Sequence, residues 1–253
     1  MTSILITGGT GTLGSRLTPM LRDAGCEVRV LNRRGHGPED GVEYVAGDIV
    51  KQEGLEAAVD GAEVVVHLAG ANKGDDVSTG NLMRAVARAR VRHVVYISVI
   101  AADRVPIGYF KAKFGAEQAV ERSGVPWTTL RAAQFHELVL FVLSKVEKLP
   151  VVPMPSGMRF QPVDAGEVAA RLAELALGEP AGLVPDLAGP RVYALSDLAR
   201  GYLAARGKRR PIVPFRIPGK AGRVYRAGDN LSLDGAMVGK RTWEEFLAER
   251  VAG

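Results

Sequence analysis

Ile4-Leu5-Ile6-Thr7-Gly8-Gly9-Thr10-Gly11-Thr12-Leu13-Gly14 is the stretch on which the reading of this chain turns. Three apolar residues run into a threonine and predict a buried strand, and glycines at 8, 9, 11 and 14 predict a tight turn into a helix over residues 12–24. Such a turn lets backbone come close to a pyrophosphate, while the helix N-terminus offers N–H groups and the positive end of a dipole. Gly11 stands where a Cβ would meet the ligand, and Gly14 where the helix packs on its strand. The G-x-G-x-x-G spacing directly after a strand predicts a dinucleotide site.

Outward from this turn the chain alternates between strands and helices. A second strand over 27–31 ends in Asn32-Arg33-Arg34-Gly35, with no acid before Glu39. An Asp or Glu at that place would accept bonds from the adenosine ribose and select NAD(H). Two guanidinium groups suit a 2′-phosphate instead, so NADP(H) is expected over NAD(H). A third strand, 42–45, runs into Ala46-Gly47-Asp48-Ile49, where Asp48 can bond the adenine amino group, cap a helix near residue 52, or do both. The near-continuous apolar run of 62–68 predicts a strand buried on both faces, with His67 as a satisfied core residue. It leads into Leu68-Ala69-Gly70-Ala71, small enough for a cofactor to lie against the backbone. A helix over 75–90 carries Leu82, Ala85, Val86 and Ala89 on one face, and the strand over 93–97 ends on Ser98. This pattern predicts an α/β protein with a Rossmann-type, doubly wound parallel sheet.

Ser98 is followed by Tyr109 and Lys113, the latter two one turn apart on a helix over 109–123. A tyrosine at its ordinary pKa is a poor proton donor or acceptor at neutral pH, and an ammonium one turn away favours its phenolate. With a serine to orient a carbonyl, a tyrosine to move its proton and a nicotinamide to supply hydride, the three form a catalytic constellation.

Composition narrows the remaining classes. The 253 residues carry 33 Lys and Arg against 28 Asp and Glu, a net charge of +5 with no basic arm, so no nucleic-acid partner is expected. Cys26 is the only cysteine and reads as a small buried hydrophobe. His36, His67, His93 and His136 are far apart, and no metal-ligand spacing is present. The apolar run 138–143 is too short for a membrane span, and the first strand starts without a charged leader, so a cytoplasmic location is expected.

Thr7-Gly8-Gly9-Thr10-Gly11-Thr12-Leu13-Gly14 has the T-G-x-x-G-x-x-G spacing of extended and atypical short-chain dehydrogenases/reductases, and the main group's pattern would need glycine at Thr12. Gly47-Asp48, Leu68-Ala69-Gly70, Lys113-x-x-x-Glu117, the run 124–131 (GVPWTTLR) and the run 159–164 (RFQPVD) add to it. Most of the chain thus resembles the atypical, NmrA-like NAD(P)H-binding branch of that superfamily. The resemblance implies pyrophosphate contacts at Gly8, Gly11 and Gly14, the 2′-phosphate at Arg33, adenine at Asp48 and the nicotinamide ribose at Lys113. The candidate cofactor residues are Gly8, Thr10, Gly11, Thr12, Leu13, Gly14, Arg33, Arg34, Asp48, Ile49, Leu68, Ala69, Gly70 and Lys113. In related proteins the segment after the strand at 127–130 borders the nicotinamide, which makes Gln134, Phe135 and His136 the substrate candidates. His136 either donates to a substrate oxygen or faces solvent at a helix start. The asparagine expected after the fourth strand has Asn72 and Asn81 nearby.

Residues 1–150 are expected to form the cofactor core and 151–253 a smaller lobe packed on it as one unit, marked off by Pro150, Pro153 and Pro155. On a helix over 135–146, Leu138, Phe141 and Val142 either line an apolar pocket or pack into the core, and core packing is the expectation. Helices over 163–177, with Asp164 as N-cap, and 243–251, docking Trp243, Phe246 and Leu247, complete the expected elements. The leading expectation is an NADP(H)-dependent oxidoreductase, a monomer or homodimer, acting on a small apolar carbonyl, quinone or enone through Ser98, Tyr109 and Lys113. The resemblance also allows a non-catalytic NADP(H) sensor and, third, a sugar-nucleotide epimerase.

Overall fold

A computed structural model describes residues 1–35, 37–70 and 74–251; His36, Ala71 and Asn72 lie outside the described residues. In chain order its elements are β1 (Ser3–Thr7), α1 (Gly14–Asp23), β2 (Glu27–Asn32), β3 (Val42–Ala46), α2 (Leu55–Val59), β4 (Val64–His67), α3 (Asp75–Arg88) and β5 (His93–Val99). Then come α4 (Gly108–Glu121), β6 (Trp127–Ala132), α5 (His136–Val146), β7 (Val152–Pro155), β8 (Arg159–Phe160), α6 (Ala165–Leu177), β9 (Gly182–Leu183) and β10 (Leu187–Ala188). The chain closes with β11 (Tyr193–Ala194), α7 (Leu195–Ala205), β12 (Ile212–Phe215), α8 (Gly219–Ala227), β13 (Met237–Val238) and α9 (Trp243–Val251).

Two units interleave along this order. The first comprises Met1–Ser98, Gly108–Arg131 and Gly166–Val184; the second comprises Val99–Ile107, Ala132–Ala165 and Pro185–Gly253. Neither is a single stretch such as 1–150 or 151–253.

In the first unit the strands run β6-β5-β4-β1-β2-β3, with β9 parallel to β6. This is the doubly wound order, and its ligand crevice lies beyond the carboxyl ends of the strands, where the order reverses between β1 and β4. Register fixes what meets there: Thr7 is opposite both Leu31 and His67, and His67 is opposite Tyr96. All four residues of β4 are buried, three of them valines, as an inner parallel strand requires. Leu5, Leu31, Val65, Val94 and Tyr96 share one face and join Leu82, Val86, Ala116 and Val120 from the helices in one core cluster.

The second unit has its own core, built from Val139, Leu143, Val152, Met154, Leu198, Tyr202, Trp243, Phe246 and Leu247. Here α5 departs from expectation. It buries His136, Val139 and Leu143, while Leu138, Phe141 and Val142 are 53%, 59% and 49% exposed. The helix is apolar most of the way round, and the packed stripe is a rotation away from the one expected to be inside. The expectation for α9 holds: Trp243, Phe246 and Leu247 are buried, and the Trp243 indole donates to the Leu198 carbonyl at 3.1 Å. Trp243→Ala is expected to destabilise the second unit by about 3–5 kcal/mol in a denaturant titration, since it removes a fully buried aromatic and opens a cavity.

Candidate functional site

A cleft of about 520 Å³ opens along the carboxyl ends of β1, β2, β3 and β4, lined by Gly8, Thr10, Gly11, Leu31, Asn32, Arg33, Gly47, Asp48, Ile49, Val50, His67, Leu68, Ala69, Gly70 and Ser78. The glycine turn shapes its floor. Gly8 has φ of +73°, and a Cβ there would come within 2.7 Å of the Ala69 nitrogen. Gly11 donates to the Gly8 carbonyl at 3.0 Å. A methyl on Gly14 would overlap the backbone of Gly8 and Gly9, so the turn packs there too closely for any side chain. No side chain caps α1, whose N-cap is Leu13. Thr12 is exposed and offers its carbonyl to the Arg16 guanidinium at 2.6 Å.

Those features test the fit of a dinucleotide. The cleft's volume falls in the usual range for small-molecule sites, roughly 300–1,000 Å³. An uncapped helix start behind a glycine cradle is the arrangement that favours a phosphate.

At the adenosine end, Asn32 accepts from the backbone N–H of Arg34 at 3.1 Å and of Gly35 at 2.5 Å. This Asn-centred turn sets Arg33 at the rim of the cleft and of an adjoining hollow of about 440 Å³, which Lys51 also lines. Asp48 lies in both, but it does not cap a helix as one reading had it. Its Oδ1 accepts from Val50 and Lys51 at 2.8 and 3.1 Å, closing the turn after β3, and α2 starts beyond Gly54. Asn81, on α3, steadies the same loop by donating to the Ile49 carbonyl at 3.0 Å.

His67 forms the middle of the floor. It is 1% exposed, its Nδ1 is 2.7 Å from the Thr7 hydroxyl and its Nε2 is 2.9 Å from the Thr79 hydroxyl. The satisfied-core reading therefore describes its bonding, although the residue also borders the cleft. Burial holds its pKa down to about 4, with Asp75 opposing the shift and Lys113 adding to it.

Ser98, Tyr109 and Lys113 all belong to the first unit, on β5 and α4. The Ser98 hydroxyl is buried and has no hydrogen-bond partner among the described residues. Lys113 is 6% exposed and forms an ion pair with Asp75, Nζ to Oδ2 at 3.0 Å. It also donates to the Tyr96 hydroxyl at 3.4 Å. The Tyr109 phenol is pushed up, by burial first and then by the charge of Asp75. That direction is opposite to the one the Tyr109–Lys113 spacing predicts: burial of the phenol is the larger cause and the carboxylate of Asp75 adds to it. Asp75 is thus the buried partner of Lys113 that sequence reasoning missed. A carboxylate at the start of a helix reads as an ordinary dipole partner, and only the packing of α3 on α4 reveals its lysine.

Glu117, one turn beyond Lys113, grips Arg131 of β6 in a buried two-point pair at 2.7 and 2.9 Å. The motif residues Lys113 and Glu117 thus each hold a buried opposite charge. In the second unit Gln134 and Phe135 are partly exposed. His136 is 0% exposed, its ring 5.0 Å from that of Phe246 and 5.8 Å from that of Trp243, so the solvent-facing alternative is removed. Among the described residues no group of three or more His, Cys, Asp or Glu could hold a metal, and no helix is long and apolar enough to cross a membrane.

The strand order and the cleft define a doubly wound, dinucleotide-binding protein. A family model described as NAD(P)H-binding matches residues 8–138, and the chain belongs to that family. The (4-alkanoyl-5-oxo-2,5-dihydrofuran-3-yl)methyl phosphate reductase of Streptomyces griseus is 36% identical over 140 residues, 52% of this chain and 48% of that protein. The NAD(P)H azoreductase of Xenophilus azovorans is 27% identical over 213 residues, 81% of this chain and 74% of its own length. The chain therefore spans about half the length of the first relative and about three quarters of the second. Among solved structures, an NADPH-dependent quinone oxidoreductase of Escherichia coli, complexed with NADPH, superposes with a TM-score of 0.79 at 20% identity, over 98% of this chain and 99% of that one. The UDP-glucose 4-epimerase of Thermus thermophilus gives 0.71 at 20% identity, over 87% and 88%. At such identities these likenesses speak for the fold.

The depressed His67 carries a consequence for stability. Its folded pKa of about 4 lies below the ordinary 6.5, so the unfolded chain binds the extra proton first. Its contribution is complete above about pH 6.5 and is lost as pH falls toward 4, by roughly 3 kcal/mol in total. Denaturant titrations across that window should show the decline, and His67→Gln should flatten it.

Proposed function

We propose that the protein is an NADP(H)-dependent oxidoreductase that reduces a small, apolar carbonyl, quinone or enone, with Tyr109 as the proton donor. The observation that carries this reading is the link at Gly70 between the cleft and the candidate catalytic residues. Gly70 lines the cleft, and a Cβ on it would lie 2.8 Å from the Lys113 ammonium. One turn before Lys113 on the same helix stands Tyr109, and Ser98, next to last in β5, has a buried hydroxyl with no hydrogen-bond partner among the described residues. The reductase names of the two relatives support the reaction class.

When bound, the nicotinamide would supply a hydride, which is two electrons and a proton, to the electrophilic carbon. Ser98 would donate to the carbonyl oxygen and hold it toward Tyr109, whose hydroxyl gives up the proton that completes the alcohol. The phenolate left behind recovers its proton from water. Lys113 would hold the ribose from behind Gly70. Gly8, Gly11 and Gly14, the last at the start of α1, would take the pyrophosphate, with Thr10 lining the same turn, and Asp48 the adenine side. The substrate side chains that the family resemblance implies are Gln134, Phe135 and His136.

The preference for the 2′-phosphate rests on Arg33, presented at the cleft rim with no carboxylate at the end of β2. Arg33→Ala is expected to weaken NADPH binding at least about tenfold, or 1.4 kcal/mol, and to leave NADH binding nearly unchanged. Equal losses in a fluorescence titration would refute the assignment. Tyr109→Phe should lower kcat for NADPH oxidation by about 10²–10⁴-fold across a panel of quinones and carbonyls, with binding of NADPH retained. If NADPH binds tightly and no substrate oxidises it, a sensor function replaces this one.

A further inference from the structure

Asp75 lies outside every motif that marks the site, yet it is completely buried at the first position of α3. A buried carboxylate is costly unless it is paired and hydrogen-bonded. Lys113 Nζ stands 3.0 Å from its Oδ2, and the Tyr96 hydroxyl donates to the same oxygen at 3.3 Å. The first turn of α3 adds a dipole that favours negative charge. Lys113 is held from two more sides. It donates to the Tyr96 hydroxyl at 3.4 Å, and its ammonium lies 5.3 Å from the centre of the Tyr96 ring. The ammonium and the carboxylate both sit directly behind Gly70, where a Cβ would be 2.8 Å from Nζ and 3.5 Å from Oδ1.

We propose that Asp75 is a positioning residue that holds Lys113 behind Gly70 and, by cancelling its charge, keeps Tyr109 loaded as a proton-bearing phenol. The inference rests on the reading of Tyr109 as proton donor. A lone ammonium one turn away would favour the phenolate, whereas a neutral ion pair does not. Asp76, next to Asp75 on α3, packs against α4 at Gly115, where an added Cβ would lie 2.8 Å from its own, and it puts a second carboxylate on that face; the remaining neighbours are paired or neutral. Glu117 on α4 is bound to Arg131, Tyr96 on β5 is held protonated by its burial and by Asp75, and His67 on β4 stays neutral at physiological pH. The Tyr109 phenol is displaced upward by burial first, and the charge of Asp75 adds in the same direction. At neutral pH such a site gives a proton, as reduction requires. The reverse oxidation needs the phenolate and would gain only in alkaline solution.

The test uses the intact chain without cofactor, labelled with carbon-13 at the tyrosine Cζ, and Tyr109 is assigned by the signal missing from Tyr109→Phe. Tyr109 should remain a phenol up to about pH 10. In Asp75→Asn its midpoint should fall by at least one pH unit, a tenfold change in the ionisation constant, and Asp75→Glu should restore it. A wild-type midpoint below about pH 9 overturns the proposal, as does an unchanged midpoint in a folded Asp75→Asn protein. Should Asp75→Asn fail to fold, the wild-type titration decides alone. Turnover by Tyr109→Phe separates the two readings. A midpoint that moves in Asp75→Asn, beside undiminished turnover in Tyr109→Phe, upholds the charge role of Asp75 and removes Tyr109 as proton donor.

Discussion

The register of the parallel strands is the constraint from which the rest of the first unit follows. Thr7, Leu31, His67 and Tyr96 end up in one row because their strands run the same way and pair without offset. A shift of one residue in β4 would turn His67 away from both threonines and carry Leu68, Ala69 and Gly70 out of the cleft wall. The continuous valine run of β4 holds that register, since all of its side chains are buried. Core packing and the cofactor site are in this sense the same structural fact. The Thr7 hydroxyl makes the point at atomic scale: it bonds the His67 ring at 2.7 Å and accepts from the Ala69 N–H at 3.3 Å.

Charge inside the unit is handled in pairs. Asp75 answers Lys113 and Glu117 answers Arg131, and both pairs join α4 to a neighbouring element. Buried pairs of this kind contribute little net stability, because desolvation offsets most of the attraction, but removing one partner strands the other. They therefore act as locators more than as glue. Lys113 and Glu117 stand four residues apart on one helix, so the two locators fix the rotation of α4, and with it the position of Tyr109.

Much of this was legible in the sequence, and the misses have physical causes. The alternation of strands and helices, the glycine turn and the place of Arg33 after β2 follow from short-range patterns: apolar runs, turn residues and the end of one strand. The exposed stripe of α5 was misread because a helix that is apolar on most of its circumference does not say which side is buried. The capping alternative for Asp48 falls to a backbone turn closed by a bridge to Glu53, which is not marked by residue type. Asp75 was missed since its partner lies 38 positions away and only helix packing joins them. Pairing across elements is the information that periodicity does not carry.

The exposed face of α5 also bears on how the protein behaves in bulk solution. Leu138, Phe141 and Val142 leave a patch that water wets poorly, with the Lys145 ammonium 5.1 Å from the Phe141 ring. Molecules that meet through such patches attract at short range, and the net charge of +5 holds them apart at longer range. Salt weakens only the second of these forces, since the screening length shrinks from about 30 Å at 0.01 M to about 10 Å at 0.1 M. The α5 face and the other exposed apolar side chains, Phe215 and Leu233 among them, thus act against the charge of the whole chain, and dilute buffer favours the charge.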